Sequence, residues 1–172
     1  MKNENNLNLL SKEELIELIE IYSKNWLALD GVWFQSVESK DGMDAAMYHD
    51  REAWARFTVI EAKRIKEFLH LPEHAGTEGL ARALGYRFYA NLNQGEIQQD
   101  AQTLIYRVPE CRVQTARKRK GMCWHPCKMV GIVEYTEFAK VIDSRFRCEC
   151  LSCYPDVTDE SVCCAWRFTL EG

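Results

Sequence analysis

A chain of 172 residues with 47% apolar and 28% charged side chains has the size of one globular domain and can bury its own core without covalent staples. The formal charge of −4 divides into 11 basic and 15 acidic residues over 1–95 and 11 of each over 96–172, which argues against a general polyanion or nucleic-acid binder. No run reaches the roughly 18 apolar residues of a membrane span, and residues 1–10 lack the apolar core of a secretory leader, so a cytoplasmic protein is expected.

In chain order, Ser11 and Glu14 have the spacing of a capping box, and Leu15, Leu18, Ile19, Tyr22, Trp26 and Leu29 follow at helical intervals. A long helix is predicted from near Ser11 to about Ser39. Lys40-Asp41-Gly42 supplies a turn, and a second helix follows from about Met43 to Leu69. Pro72 and Gly76 break the pattern, and a third helix is predicted over Glu78–Leu92, ending before Asn93-Gln94-Gly95. Beyond Gly95 the period falls toward two. Leu104, Tyr106 and Val108 alternate with Thr103, Ile105 and Arg107, and after Pro109-Glu110 the segment from Cys111 to about Lys118 reads as a returning strand. Pro126 suits the first residue of a further helix that buries Val130, Val133, Phe138 and Val141 and ends at Asp143-Ser144. Two more strands are predicted over Arg145–Leu151 and Val162–Leu170. The expected fold class is α+β: a helical region 1–95 packed on a small, mainly antiparallel four-stranded sheet from a cysteine-rich region 96–172 of β-β-α-β-β order, the two forming one compact unit.

All eight cysteines lie between residues 111 and 164. Seven form three groups: Cys123 and Cys127; Cys148, Cys150 and Cys153; Cys163 and Cys164. In a reducing compartment such thiols serve as free thiols, metal ligands or transient redox pairs. Cys127 falls in the first turn of its helix, where free N–H groups favour a thiolate ligand or nucleophile. Cys150 and Cys153, with two residues between them, together with Cys127 and Cys164, make the candidate metal set. Zinc is favoured, with an iron-sulfur cluster as the alternative. Four thiolates would close a structural zinc site, whereas three would leave a position for water or substrate. Any one cysteine taken singly is more often a small buried hydrophobe, which is the reading for Cys111. Cys163 reads as a bystander opposite Cys164. A redox pair at Cys150 and Cys153 lacks the usual position at a helix start. His125 could replace one of the thiol ligands, but between Trp124 and Pro126 it reads first as an exposed loop residue, and the other histidines have no partner spacing.

Trp26, Asp30, Trp33 and Val37 share one helix face, and Trp54, Thr58, Glu61 and Ile65 repeat the pattern in the next helix. Asp30 and Glu61 thus interrupt apolar stripes and require a partner. They either pair internally, with Arg56, Arg64 or Arg87, or act as anchors or general acid and base in a ligand pocket walled by Trp26, Trp33 and Trp54. Arg112 and Gln114 share one face of the returning strand and could hold a ligand carboxylate, although plain exposed sheet residues are the simpler account. The run Arg117-Lys-Arg-Lys120 reads as a solvated strand end. The apolar helices allow a homodimer. No Ser-His-Asp set, phosphate loop or dinucleotide fingerprint points elsewhere.

The stretches Pro126-Cys127-Lys-Met-Val-Gly131, Cys150-Leu-Ser-Cys153 and Cys164-Ala-Trp-Arg-Phe168 resemble the C-terminal half of the L-2-amino-thiazoline-4-carboxylate hydrolase-like proteins and, more distantly, the 4-vinyl reductase domain, over about residues 100–170. The helical half, with Leu29-Asp-Gly-Val-Trp-Phe34 and Glu61-Ala-Lys-Arg-Ile-Lys66, resembles a group of cytosolic proteins carrying the same kind of C-terminal domain. Cys123, Cys148 and Cys163 depart from the pattern. The first resemblance implies hydrolysis of a small cyclic amidine-like or thiazoline-like carboxylate, with Cys127 as nucleophile or a metal-bound water as attacking group, and Arg112 on the carboxylate. The second allows a ligand-binding or sensor module.

Overall fold

The computed structural model describes residues 6–172, so the reading of a missing leader rests partly on positions outside it. The capping box forms as predicted: Glu14 N donates to Ser11 Oγ at 3.1 Å and Ser11 N donates to Glu14 Oε2 at 2.7 Å. It starts α1 (Lys12–Asp41), which runs without a break through Gly31. Gly42 alone joins α1 to α2 (Met43–Phe68), with φ 89° and ψ 171°. That conformation is open essentially to glycine, and the two helices fold back on each other about it.

The third helix is shorter than predicted. α3 (Gly76–Leu84) stops at Gly85, and a single 3-10 turn over Phe88–Asn91 replaces its second half. The physical reason is Arg87, which takes an extended backbone and turns its guanidinium inward toward Glu61.

The sheet contains β1 (Glu96–Gln99), β2 (Thr103–Val108), β3 (Phe146–Cys153) and β4 (Cys164–Leu170), in the order β1-β2-β4-β3, with every pair antiparallel. The α+β class and the four strands stand, but the returning strand is misplaced. Residues 111–118 are not a strand; α4 (Arg112–Arg119) occupies them. β2 already pairs with β1 on one side and β4 on the other, leaving no edge for a strand there. Arg, Gln, Ala and Lys are good helix formers, and Asn93 Oδ1 accepts the otherwise unpaired Arg112 N–H at 3.0 Å. The hairpin partner of β2 is instead β1, joined through Asp100, whose Oδ1 accepts from Gln102 N and Thr103 N at 2.8 Å each.

α5 (Lys128–Ile142) lies across the sheet, two residues later than Pro126 suggested. Phe138, Ala139 and Ile142 pack with Leu104, Phe146, Trp166 and Phe168 in the main core. Val130 and Phe138 are buried as expected, whereas Val133 and Val141 are half-buried. A Cβ on Gly131 would stand 2.6 Å from Cζ2 of Trp166, so this helix approaches the sheet as closely as glycine permits. On its far side α5 meets α2. Thr58 Oγ1 donates to Glu134 O at 3.1 Å, and Lys66 Nζ donates to Val141 O at 3.1 Å and Ile142 O at 2.7 Å, satisfying carbonyls at the end of α5. A second cluster of Phe34, Ala46, Met47, Trp54 and Val130 joins α1, α2 and the start of α5. No described helix is long and apolar enough to cross a membrane.

Candidate functional site

Between the helical hairpin, α4, the start of α5 and the sheet lies a cavity of about 600 Å³, within the range of small-ligand sites. Asp30 and Phe34 enter it from α1, Asp50 and Trp54 from α2, Tyr106 from β2 and Trp166 from β4. Cys111, Cys127, Cys153 and Cys164 also line it.

Cys127 is the residue just before α5, and its sulfur is held by polar neighbours. Gln114 Nε2 donates to Cys127 Sγ at 3.1 Å and to His125 O at 2.8 Å, while Gln114 Oε1 accepts from His125 N at 3.1 Å. His125 Nδ1 lies 3.0 Å from the same sulfur and its Nε2 lies 3.1 Å from Asp50 Oδ2. The result is a Cys127–His125–Asp50 row braced by Gln114. His125 is therefore not an exposed loop residue; it is 8% exposed, with its ring 4.7 Å from that of Phe34. Sequence reasoning also missed Asp50. It lies four residues before Trp54, so extending the α2 stripe by one turn would have found it.

The other thiols reach the same region through a β-bulge. In a regular strand Cys150 and Cys153 would face opposite sides. The pairing, however, passes from Cys150↔Trp166 to Ser152↔Ala165 and then Cys153↔Cys164, leaving Leu151 as an extra residue. Cys150, Cys153 and Cys164 consequently share the sheet face of Trp166, the side on which α5 packs. Contact with the Cys127 thiol holds the Cys153 pKa above the ordinary thiol range, and contact with Cys153 does the same to Cys150. Burial raises Cys164 and Cys111, and pushes Cys148 up to about 12. Cys150 stands outside the cavity lining. Among the described residues, no three His, Cys, Asp or Glu side chains are already arranged around one metal position. As a donor set, three thiols on one sheet face with Cys127 across from them at the start of α5 are of the kind zinc takes.

The carboxylates part company. Glu61 accepts from Arg87 Nε at 2.9 Å and from Phe88 N at 3.2 Å, so it pairs internally and does not line the cavity. Arg87 Nη2 also lies 2.6 Å from Glu134 Oε1, an ion pair whose angle is off hydrogen-bond alignment. Burial opposes the charge on Arg87, but Glu134 and Glu61 outweigh it and keep the guanidinium protonated. Burial raises Glu134, with Arg87 opposing. Asp30, by contrast, makes no hydrogen bond or ion pair among the described residues. Burial raises its pKa to about 7, with the Asp50 charge adding and His125 opposing.

Of the three tryptophans expected to wall a pocket, only Trp54 lines the cavity. Trp26 stacks on Phe57 at 5.0 Å, and Trp33 is 68% exposed. Because α4 is a helix, Arg112 and Gln114 do not share a face: Arg112 sits exposed at the rim and Gln114 is buried under Cys127. Arg117 is likewise no solvated strand end. It is buried, and its two Nη atoms reach Glu38 at 2.8 and 2.7 Å.

Fold and site together define an α+β protein with an internal cavity lined by thiols and aromatic rings. The chain belongs to the family of unknown function DUF6125, whose family model matches residues 8–170. No curated protein and no solved structure matches it.

Proposed function

We propose that this is a small-molecule-binding protein in which Cys127, Cys150, Cys153 and Cys164 hold a metal ion, zinc by preference, at one wall of the cavity. The observation that carries this reading is the bulge at Leu151, which turns Cys150 and Cys153 to one face beside Cys164 and in line with Cys127. Rotation of thiol χ1 angles between staggered wells is the movement that would gather these sulfurs on one ion. Four thiolates would close the site, and the metal would then clamp the start of α5 to the β3–β4 hairpin. Gln114 and His125 would then donate to the sulfur of a ligating Cys127, orienting it as outer-shell partners do. The small molecule would occupy the adjoining cavity against Trp54, Phe34 and Tyr106, with Asp30 as its polar contact.

A second reading is favoured by the row of Cys127, His125 and Asp50. With the ring proton on Nε2 facing Asp50, Nδ1 is placed to take the thiol proton. In a cyclic amidine or thiazoline, Cys127 Sγ would bond to the ring carbon while the thiol proton passes through His125 to the ring atom that departs. Water would then displace the sulfur and restore the thiol. The enzyme hypothesis is thus hydrolysis of a small cyclic C–N or C–S bond, and Arg112 at the rim could meet a carboxylate.

Elemental analysis of protein purified without oxygen or chelator separates the two. One zinc per chain, lost together with thermal stability in Cys153→Ser, is the expected result. Iron with matching sulfide would make the centre a cluster. Metal at trace level, with Cys127 the thiol most rapidly alkylated by iodoacetamide, would overturn the metal reading and leave the nucleophile.

A further inference from the structure

The outer face of α1 is largely uncovered within the chain, although Trp26 at its margin stacks on Phe57. Leu15, Ile19, Tyr22, Trp26, Leu29 and Trp33 repeat at intervals of four and three, the a/d spacing of a helix that packs along a second helix. Five of them are half to two-thirds exposed: Ile19 53%, Tyr22 60%, Trp26 45%, Leu29 66% and Trp33 68%. The inward face of the same helix is already used, since Ser23 and Phe34 are buried and Asp30 faces the cavity. The apolar arc of α1 is therefore wider than α2 covers.

We propose that the occupant of this face is a second copy of this chain, docked through α1 against α1 in a two-fold dimer. The a/d spacing is self-complementary, because a seam of this kind fits another helix with the same spacing, as an isologous contact requires. The area is sufficient. Large aliphatic and aromatic side chains exposed to this degree present on the order of 600 Å² per partner, the lower end of specific interfaces and the upper end of the largest patch usual on a monomer. A lipid surface fits less well. The polar side of the first half of α1 carries Glu13, Glu14, Glu17 and Glu20 against Lys12 and Lys24, whereas helices that lie on membranes are rich in Lys and Arg there. The proposal does not depend on the metal or on the ligand.

Sedimentation velocity and light scattering on the full chain test it. The wild type is expected to be a dimer at about 10 µM, an affinity ordinary for this interface size. Leu29→Glu with Trp33→Glu is expected to be a monomer with an unchanged far-UV circular dichroism spectrum, because both side chains already face solvent in the single chain. Tyr22→Lys, lower on the same seam, is expected to weaken the dimer at least tenfold. Tyr48→Glu, 63% exposed on α2 and outside the seam, is expected to remain dimeric. A monomeric wild type at about 100 µM, whether or not it binds anionic lipid vesicles, overturns the proposal. So does a dimer that survives the double substitution while both chains remain folded.

Discussion

Asp30 carries the clearest electrostatic consequence at the residue scale. Its folded pKa of about 7 stands above the ordinary 3.8, chiefly because of burial. Between those two pH values the folded chain holds a proton that the unfolded chain has released, so stability attributable to Asp30 is highest near pH 4 and falls as pH rises through 7. Asp30→Asn is therefore expected to stabilise the protein by about 1–2 kcal/mol at pH 8, a figure reduced for the partly open side chain, and to change little near pH 4. Thermal unfolding at the two pH values checks this; equal gains at both would sink it. Asp30 was legible in the sequence because it interrupts an apolar stripe. His125 was not, because Asp50, 75 residues away, and Phe34, on α1, bury it. Nothing in Trp124-His125-Pro126 announces a contact made by two other elements.

Among the elements, the β3 bulge and α4 decide the site. Deleting Leu151 would restore regular alternation and leave Cys153 on the face it now has, opposite Cys164, whereas deleting Leu151 together with Ser152 would set Cys153 opposite Ala165 and turn it to the far face of the sheet. In a background with Cys111, Cys123, Cys148, Cys150, Cys163 and Cys164 replaced by Ser, mild oxidation is expected to join Cys127 to Cys153, seen as a loss of two hydrogens in the intact mass. The Leu151 deletion is expected to keep that bond and the deletion of Leu151 with Ser152 to abolish it, and equal cross-linking in the two deletion forms would contradict the parity argument. The two-residue gap between the cysteines was visible from the start. The bulge was not, because it exists only in register with Trp166 and Ala165 of β4. The Cys111–Lys118 segment failed for a related reason. Four alternating residues fit a strand locally, but a strand also needs a free neighbour, and β1 and β4 had taken both edges of β2.

At the scale of the whole molecule, one buried ion network holds the halves together. Glu61 of α2, Arg87 beside the 3-10 turn and Glu134 of α5 link the helical region to the layer that covers the sheet. Arg87→Met would leave two buried carboxylates without their cation and is expected to cost about 3–5 kcal/mol. Burial already raises Glu134, and without Arg87 it would rise further. The deficit should therefore be smaller at pH 5, where Glu134 takes up a proton, than at pH 8. Urea unfolding at both values measures it, and a deficit independent of pH would refute the assignment. The main outline, helices first and a four-stranded sheet after, was readable from periodicity. The cavity was not, since its walls come from five helices and three strands and no single stretch carries its pattern.

The one-residue joint at Gly42 constrains how this chain can vary. Space is not the constraint there, as a Cβ would meet nothing within 4 Å; the backbone angle is. An inserted residue would also turn all of α2 by about 100° about its axis relative to α1, carrying Asp50 and Trp54 out of the cavity and Glu61 away from Arg87 in one step. Length at position 42 is thus coupled to the rotational phase of an entire helix, and insertions or deletions that surface loops of this protein would absorb should be excluded at this point.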